Sequence, residues 1–354
     1  MLFAAVGMGS WSSLSGGSFY SSYLDLWNRW DTRWFESIAV HGYVGPFVSA
    51  FEDFQYNVAF FPGLPSIMWF GESIGIPAVL TGLIVSFISG YFAALAVGRL
   101  TTFAGGTALW GVVAWVLAPT AVFITAAYTE SLFAAFAFWA WVYAVERSWV
   151  LAGVLAGLAG LVRPNGVFLA AGLVVLFLVA GTWKTSWVEW LRGSALLLPL
   201  VSAFGYFAYL RAITGSWTTW SNAQGEFWER HLVDPVTSLV NTYNLIFTFS
   251  PTGEWSSRMV TEILAMAIMV AVVVICLVNR RWAEVVYVGL TALSLGTSTM
   301  YHSVPRTLVL IFPLWTLLGV FLSRRVWARW VFILLSVPAL ALVTIRFTQG
   351  QWIS

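Results

Sequence analysis

The sequence predicts an all-α polytopic membrane protein, and three features of its 354 residues indicate that class. First, 60% of the residues are hydrophobic and only 9% are charged, whereas soluble domains are roughly 45–50% apolar and about 25% charged. Second, the chain holds 22 Trp, a residue that concentrates at membrane interfaces. Third, apolar runs of about 20 residues recur, the length at which a helix crosses a bilayer. These features exclude a soluble enzyme, a disordered chain and a coiled coil.

The apolar runs predict a single transmembrane domain over residues 1–354. Residues 1–9 are apolar but too short to span, so an additional first helix stays open and we expect about 10–11 transmembrane helices. Two polar stretches, 10–75 and 214–258, are predicted to be outer loops that carry amphipathic helices. The ten predicted spans are 76–98, 106–126, 129–145, 149–162, 167–183, 194–213, 259–278, 283–300, 307–322 and 330–347.

Charge predicts the orientation of these spans. If the N-terminal stretch lies outside the cytoplasm, only three of the 15 acids fall inside, namely Glu146, Glu189 and Glu284. The short inner loops then carry many of the 17 cations, as the positive-inside rule expects. The inner cations are Arg99, Arg147, Lys184, Arg192, Arg280, Arg281, Arg324, Arg325 and Arg329. The acids therefore concentrate on the outer side, where we expect the chemistry.

The net charge and the few cysteines and histidines limit the possible partners and metal sites. The net charge of +2 and the absence of a basic tail give no indication of nucleic acid, and membrane lipids are the expected surroundings. The single cysteine, Cys276, excludes an intramolecular disulfide and any cysteine-based metal site. The three histidines, His41, His231 and His302, have no helical pairing, so we expect no metal.

The first chemical constellation is WNRWDTRWFESIAVHGY, residues 27–43. At helical spacing Trp27, Trp30, Trp34 and Ile38 share one face, which predicts an amphipathic helix on the membrane surface. Its charges could simply be solvated. However, an aspartate inside an aromatic cluster is shielded from water, which suits a general base, and Asp31 is that aspartate.

Acidic residues also occur at two other outer turns. In FEDFQYNVAFFPGLP, residues 51–65, Glu52 and Asp53 are adjacent, and we favour a loop that returns to the membrane. In PTAVFITAAYTES, residues 119–131, Glu130 follows Tyr128 at the start of a helix. Thr129 or Ser131 could cap that helix, yet an ionisable group at the membrane boundary is also a functional candidate.

Cations that could bind a phosphate occur in two outer turns. Arg163 lies in LVRPNG before Pro164, and YHSVPR holds His302 and Arg306 together. Arg163 could instead extend to lipid headgroups, and His302 could be an ordinary interfacial residue. The guanidinium group matches a phosphate with a planar fork of donors.

The long outer loop contains SWTTWSNAQGEFWERHLVDP, residues 216–235. Aromatic rings with amide and acid partners, here Trp228 and Gln224, suit sugar faces and hydroxyls. The same composition also suits an interfacial aromatic belt. No Walker loop, nucleotide fingerprint or Ser–His–Asp pattern is present. Because the outer side has no nucleotide pool, an enzyme there would take an activated substrate carried on a lipid phosphate.

Read in order, these segments resemble the GPI mannosyltransferase 2 family of the PIG-V type, including its prokaryotic relatives. The resemblance extends from about Trp27 to Trp315. The matching segments are WDTRWFESIAVHGY, NVAFFPGLP, PTAVFITAAYTESLF, WVLAGVLAGLAGLVRPNG, AQGEFW and HSVPRTLVLIFPLW.

The resemblance implies a GT-C fold and a polyprenyl-phosphate or dolichyl-phosphate mannose donor. It implies an inverting transfer of mannose to a lipid-linked or glycan acceptor on the luminal or periplasmic side. Asp31 is then the base and Glu36 the reserve base, with Arg163, His302 and Arg306 binding the donor phosphate. The sugar or acceptor would contact Glu130, Tyr128, Gln224, Trp228 and His41. No cofactor is expected.

Three points stay open after the sequence is read. The compact loops favour a prokaryotic plasma membrane, while a eukaryotic member would lie in the ER membrane. The oligomeric state is unknown. A transporter or flippase for lipid-linked sugars, or an accessory subunit that binds them, is the alternative function; a transporter places its site near the bilayer midplane.

Overall fold

The computed structural model describes residues 19–43, 57–248 and 254–351. It is 80% helical, and within those ranges the only extended pairing is an isolated antiparallel bridge between Leu232 and Ser298. The α-helices are α1 Phe19–Trp27, α2 Asp31–His41, α3 Gly63–Ser73, α4 Ala78–Phe103, α5 Ala108–Val116, α6 Val122–Thr125, α7 Thr129–Val145, α8 Trp149–Val162, α9 Gly166–Ala180, α10 Trp187–Gly193, α11 Leu198–Thr214, α12 Thr219–Asn222, α13 Pro235–Thr248, α14 Glu254–Val278, α15 Trp282–Gly296, α16 Val304–Thr307, α17 Phe312–Arg324 and α18 Val326–Thr348.

The chain is an all-α polytopic membrane protein, as the sequence predicts. Within the described residues, four helical segments are long and apolar enough to cross a bilayer: Ala78–Phe103, Trp187–Thr214, Trp255–Val278 and Val326–Thr348. The bent pair Val304–Leu310 and Phe312–Arg324 is a fifth if it counts as one span, and α7, α8, α9 and α15 are shorter apolar helices. The predicted total of about 10–11 spans stays a prediction.

Two predicted spans are wrong as continuous helices. The span predicted at 106–126 is broken, because α5 ends at Val116 and α6 begins at Val122. Pro119 lies in this break; it has no N–H to donate and its ring clashes with helical backbone. The span predicted at 307–322 is bent by 71° between Val304–Leu310 and Phe312–Arg324. Pro313 follows that bend and has the same effect on the preceding turn.

The structure divides into two compact units. Of the described residues, the first comprises 19–43, 64–135 and 315–351. Its core includes the rings of Trp27, Phe123, Tyr128 and Phe347. Phe123 stacks on Tyr128 with ring centroids 5.6 Å apart, and Phe347 meets Tyr128 edge-on at 5.7 Å. This aromatic core supports the start of α2.

Of the described residues, the second unit comprises 57–63, 136–248 and 254–314. Trp141, Tyr287 and Phe312 form part of its core, with Trp141 and Phe312 centroids 4.7 Å apart. Small residues bring α8 close to the segment that leads into α11, as is common between membrane helices. At these contacts Gly153 faces Ala195, Gly157 faces Leu198, and Gly160 faces Pro199.

Candidate functional site

In the first unit, Asp31 begins α2 at a break in the helical chain. The predicted continuous surface helix through Trp27, Trp30 and Trp34 is wrong, because α1 ends at Trp27 and α2 begins at Asp31. Trp30 adopts φ 52° between them, a conformation that costs a bulky residue energy and that recurs at functional sites. The Asp31 residue is 7% exposed. The break thus places a buried carboxylate at a helix start.

The turn between α6 and α7, which contains Tyr128, packs against the start of α2. The Tyr128 hydroxyl donates to the Arg29 carbonyl at 3.4 Å, and its ring meets Phe35 edge-on at 6.5 Å. Thr32 also donates to the Ala127 carbonyl at 3.4 Å. Two segments that are about 100 residues apart in sequence therefore meet in the first unit.

Glu130 lies beside that turn and is fully buried in the first turn of α7. Ser131, one of the two predicted caps, instead donates its hydroxyl to the Ile124 carbonyl at 2.6 Å. Burying a glutamate in an apolar helix costs free energy unless polar groups pair with it. Glu130 is therefore a candidate functional residue.

Glu36 and His41 are also predicted site residues of this unit, and both are more exposed than Asp31. Glu36 is half-buried and its Oε2 accepts a hydrogen bond from Asn28 Nδ2 at 2.6 Å. His41 is exposed at the opposite end of α2 from Asp31. Ten residues of helix separate His41 from Asp31 by about 15 Å along the axis. His41 is therefore not beside the carboxylate.

In the second unit, the YHSVPR segment forms a tight turn into α16. Ser303 adopts φ 60° and reverses the chain immediately after His302. Arg306 is buried within α16, at 7% exposure, and His302 is half-buried. The turn brings His302 and Arg306, the two predicted phosphate ligands, close enough to interact electrostatically.

Two ionisable residues of α14 that were given no role from the sequence contact this turn. Glu262 is fully buried, and its carboxylate accepts the backbone N–H groups of Ser303 at 3.0 Å and Val304 at 2.8 Å. Arg258 Nη2 lies 3.0 Å from His302 Nδ1. The sequence signal for this pair is an arginine and a glutamate four residues apart at the start of an apolar run.

The surroundings keep the His302 ring neutral. Its pKa lies well below the usual 6.5, first because burial disfavours the charged form and then because Arg230, Arg258 and Arg306 repel it. Burial also raises the pKa of the neighbouring Tyr301. A neutral imidazole beside guanidinium groups can donate a hydrogen bond without adding charge.

The AQGEFWERH segment lies against the approach to the same turn. The backbone N–H of His231 donates to Thr299 Oγ1 at 3.0 Å, and the N–H of Val233 donates to the Thr297 carbonyl at 2.9 Å. Ala223–Phe227 is a π-helix, a rare form that is frequent at functional sites. The segment of Gln224 and Trp228 is thus joined to residues 297–299, shortly before His302.

Trp228 and Gln224 themselves are half-buried. The Trp228 ring packs edge-on against Phe60 at 5.6 Å, and the Gln224 carbonyl accepts the Arg230 N–H at 2.9 Å. Tyr206 donates to the carbonyls of Val58 and Phe60 at 2.8 Å each. These contacts fix the NVAFF stretch, whereas Glu52 and Asp53 lie outside the described residues.

Arg163 ends α8 in the second unit. It is half-buried and has extended backbone geometry, with φ −151° and ψ 149°. Pro164 follows it, and the residue before a proline disfavours helical geometry. Across the described parts of the chain, no group of three or more His, Cys, Asp or Glu side chains is arranged to hold a metal ion.

The fold and these clusters define a polytopic membrane protein with buried ionisable residues. The chain is similar to GPI mannosyltransferase 2 of Schizosaccharomyces pombe, with 28% identity over 163 residues. It is also similar to GPI alpha-1,6-mannosyltransferase 2 of Rattus norvegicus, with 31% identity over 210 residues, and of Cricetulus griseus, with 33% over 156 residues. These relatives confirm the resemblance to the GPI mannosyltransferase 2 family.

The similarity is partial in both directions. The three matches cover 44%, 51% and 40% of this chain, and 33%, 40% and 29% of the respective relatives. The chain thus matches less than half the length of these curated relatives. No family model and no solved structure matches the chain.

Proposed function

We propose that this protein is a membrane mannosyltransferase that uses polyprenyl-phosphate mannose as donor and a lipid-linked or glycan hydroxyl as acceptor. The observation that carries the proposal is the buried Asp31 at the strained start of α2, within a chain whose curated relatives are named mannosyltransferases. The same chain is helical and apolar enough to bring such a residue to a lipid-borne substrate.

Asp31 is the proposed general base. The acceptor O–H proton passes to the Asp31 carboxylate as the acceptor oxygen bonds to the anomeric carbon. The bond from that carbon to the phosphate oxygen breaks, and the polyprenyl phosphate leaves with the electron pair. Attack from the side opposite the leaving group inverts the anomeric centre. Glu36 is the reserve base, but its hydrogen bond from Asn28 makes it the less available carboxylate.

His302, Arg306 and Arg163 are the proposed donor-phosphate ligands. The departing phosphate gains charge, and preorganised donors stabilise such charge well in a site that excludes water. Arg306 is buried and His302 is held in the same turn. Arg163 is half-buried at the end of α8 in the same unit.

Five further residues are proposed to contact the mannosyl group or the acceptor. Tyr128 lies on the turn that packs against the start of α2, and Glu130 lies beside it in the first turn of α7. The other three are Gln224, Trp228 and His41. The Trp228 ring packs on Phe60, and His41 lies at the opposite end of α2 from Asp31. The side of the membrane is proposed from charge alone, with the chemistry on the outer or luminal side.

A transfer assay tests this proposal directly. Purified protein in lipid nanodiscs is incubated with polyprenyl-phosphate mannose and a membrane lipid extract, and products are identified by mass. The proposal expects a product heavier than an acceptor by one hexose, which is absent with Asp31→Asn. If no lipid-linked sugar donates to any acceptor, while liposomes containing the protein move such lipids across the bilayer, a transporter is the correct reading.

A further inference from the structure

Two residues of α14 organise the turn that carries His302 and Arg306. Arg258 and Glu262 are four residues apart, so they lie on the same side of the helix. Each contacts a different part of the turn: Arg258 reaches the His302 ring, and Glu262 reaches the backbone of Ser303 and Val304. Neither residue belongs to the sequence segments that resemble the mannosyltransferase family.

Glu262 fixes the backbone of the turn. Its fully buried carboxylate accepts two successive N–H groups, from Ser303 at 3.0 Å and from Val304 at 2.8 Å. Ser303 has φ 60°, a left-handed conformation that is unfavourable for a residue other than glycine. The two hydrogen bonds offset that strain and satisfy a carboxylate that would be very costly to bury alone.

Arg258 fixes the proton on the His302 ring. A guanidinium group has five N–H donors and no acceptor. Because Arg258 Nη2 lies 3.0 Å from His302 Nδ1, that ring nitrogen must accept the hydrogen bond. The proton of the neutral ring is then on Nε2, which becomes the single donor that the ring can offer to a ligand. The Trp255 ring lies under the same guanidinium, 4.9 Å from its carbon, and helps to hold it.

We propose that Arg258 and Glu262 are positioning residues, which hold the turn of His302 and Arg306 so that His302 presents Nε2–H, as a neutral donor, to a phosphate oxygen of the lipid-linked donor. The choice of phosphate as the ligand rests on the proposed function. The tautomer and the turn geometry do not depend on it.

A purely structural ion cluster is the competing explanation, and conservative variants separate the two. Arg258→Lys keeps a cationic donor in reach of His302, whereas Arg258→Met keeps much of the length of the side chain but has no donor. Glu262→Gln keeps one oxygen acceptor but replaces the other by an amide group that cannot accept. Matched controls are Arg192→Met and Glu189→Gln, because these residues form an exposed ion pair of 2.6 Å away from the turn.

The first measurement is the protonation of His302 by nitrogen-15 NMR of histidine-labelled protein, with His302→Gln to assign the signal. The wild-type protein should show His302 protonated on Nε2 only at pH 7, and farnesyl phosphate should shift that signal. Arg258→Met should populate the Nδ1–H form, and Arg258→Lys should retain the wild-type form. A wild-type ring that is protonated on Nδ1 overturns the inference, as does an unchanged tautomer in Arg258→Met.

The second measurement is the steady-state kinetics of mannosyl transfer with these variants. Arg258→Met and Glu262→Gln should raise the donor KM by roughly 10- to 100-fold, the effect known for outer residues that orient the ligands of a metal site, with a much smaller change in kcat. Arg258→Lys should recover most of the loss. Equal KM increases in the Lys and Met variants would indicate a merely structural role and overturn the inference. If wild type transfers no mannose yet shows the Nε2–H ring and the farnesyl phosphate shift, the proposed reaction fails and the positioning stands.

Discussion

Replacing Gly153 by alanine should destabilise the protein, because α8 packs against neighbouring backbone at this residue. A Cβ on Gly153 would lie 2.3 Å from the Ala195 carbonyl oxygen and 2.4 Å from its carbon. Ordinary contact begins at 3.4 Å, so the two segments must separate by about 1 Å. Neither atom belongs to a flexible side chain, and the backbone must therefore move.

The expected cost follows from that shift. Overpacking a tight core contact costs about 1–3 kcal/mol, which corresponds to roughly 2–6 °C in apparent Tm for a large domain. Gly205 in α11 is the matched control, since a Cβ there meets nothing within 4 Å. In the same detergent, unfolding followed by tryptophan fluorescence should place Gly153→Ala below wild type and Gly205→Ala at or above it. Equal midpoints for the two variants would refute the close packing of α8.

The remaining predictions concern the proposed site. Arg306→Ala should weaken donor binding by about 1.5–3 kcal/mol, roughly 10- to 150-fold, and unchanged donor affinity in an equilibrium binding assay would contradict its role. His302 has a lowered folded-state pKa, so below about pH 6.5 only the unfolded chain gains this proton and stability falls as pH decreases. His302→Gln should remove that part of the decrease in Tm between pH 7 and 5; an identical slope in both proteins would count against the neutral ring. Transfer should persist in excess EDTA, and a loss restored by a divalent cation would disprove metal-independent chemistry.

Much of the helical pattern could be predicted from sequence. The segments 129–145 and 149–162 match α7 and α8 at both ends. Polar or charged residues follow each of these apolar runs closely, so their limits are set locally. The helix predicted through Trp27 and Trp34 is interrupted for another reason. Its apolar periodicity is helical, but the Asn28–Trp30 break contains the Arg29 carbonyl, which accepts a hydrogen bond from the distant Tyr128 hydroxyl.

The candidate site was predictable only in part. Asp31, Tyr128 and Glu130 belong to segments that the structure joins in one unit, and their residue types and positions in the sequence predict a functional role. Glu262 lies inside the predicted span 259–278, and a single acid within an apolar run gives no local indication of its partners. Its role emerges from hydrogen bonds to residues about 40 positions later in the chain, which no local pattern indicates.

The most direct test of the central claim is mannosyl transfer by Asp31→Asn. Asparagine has the same shape but accepts no proton, so turnover should fall by about 10²- to 10⁴-fold, the usual contribution of a general base. Donor affinity and apparent Tm should stay at the wild-type values, and Glu36→Gln should remain far more active. Turnover by Asp31→Asn close to that of wild type would contradict the assignment of Asp31 as the base.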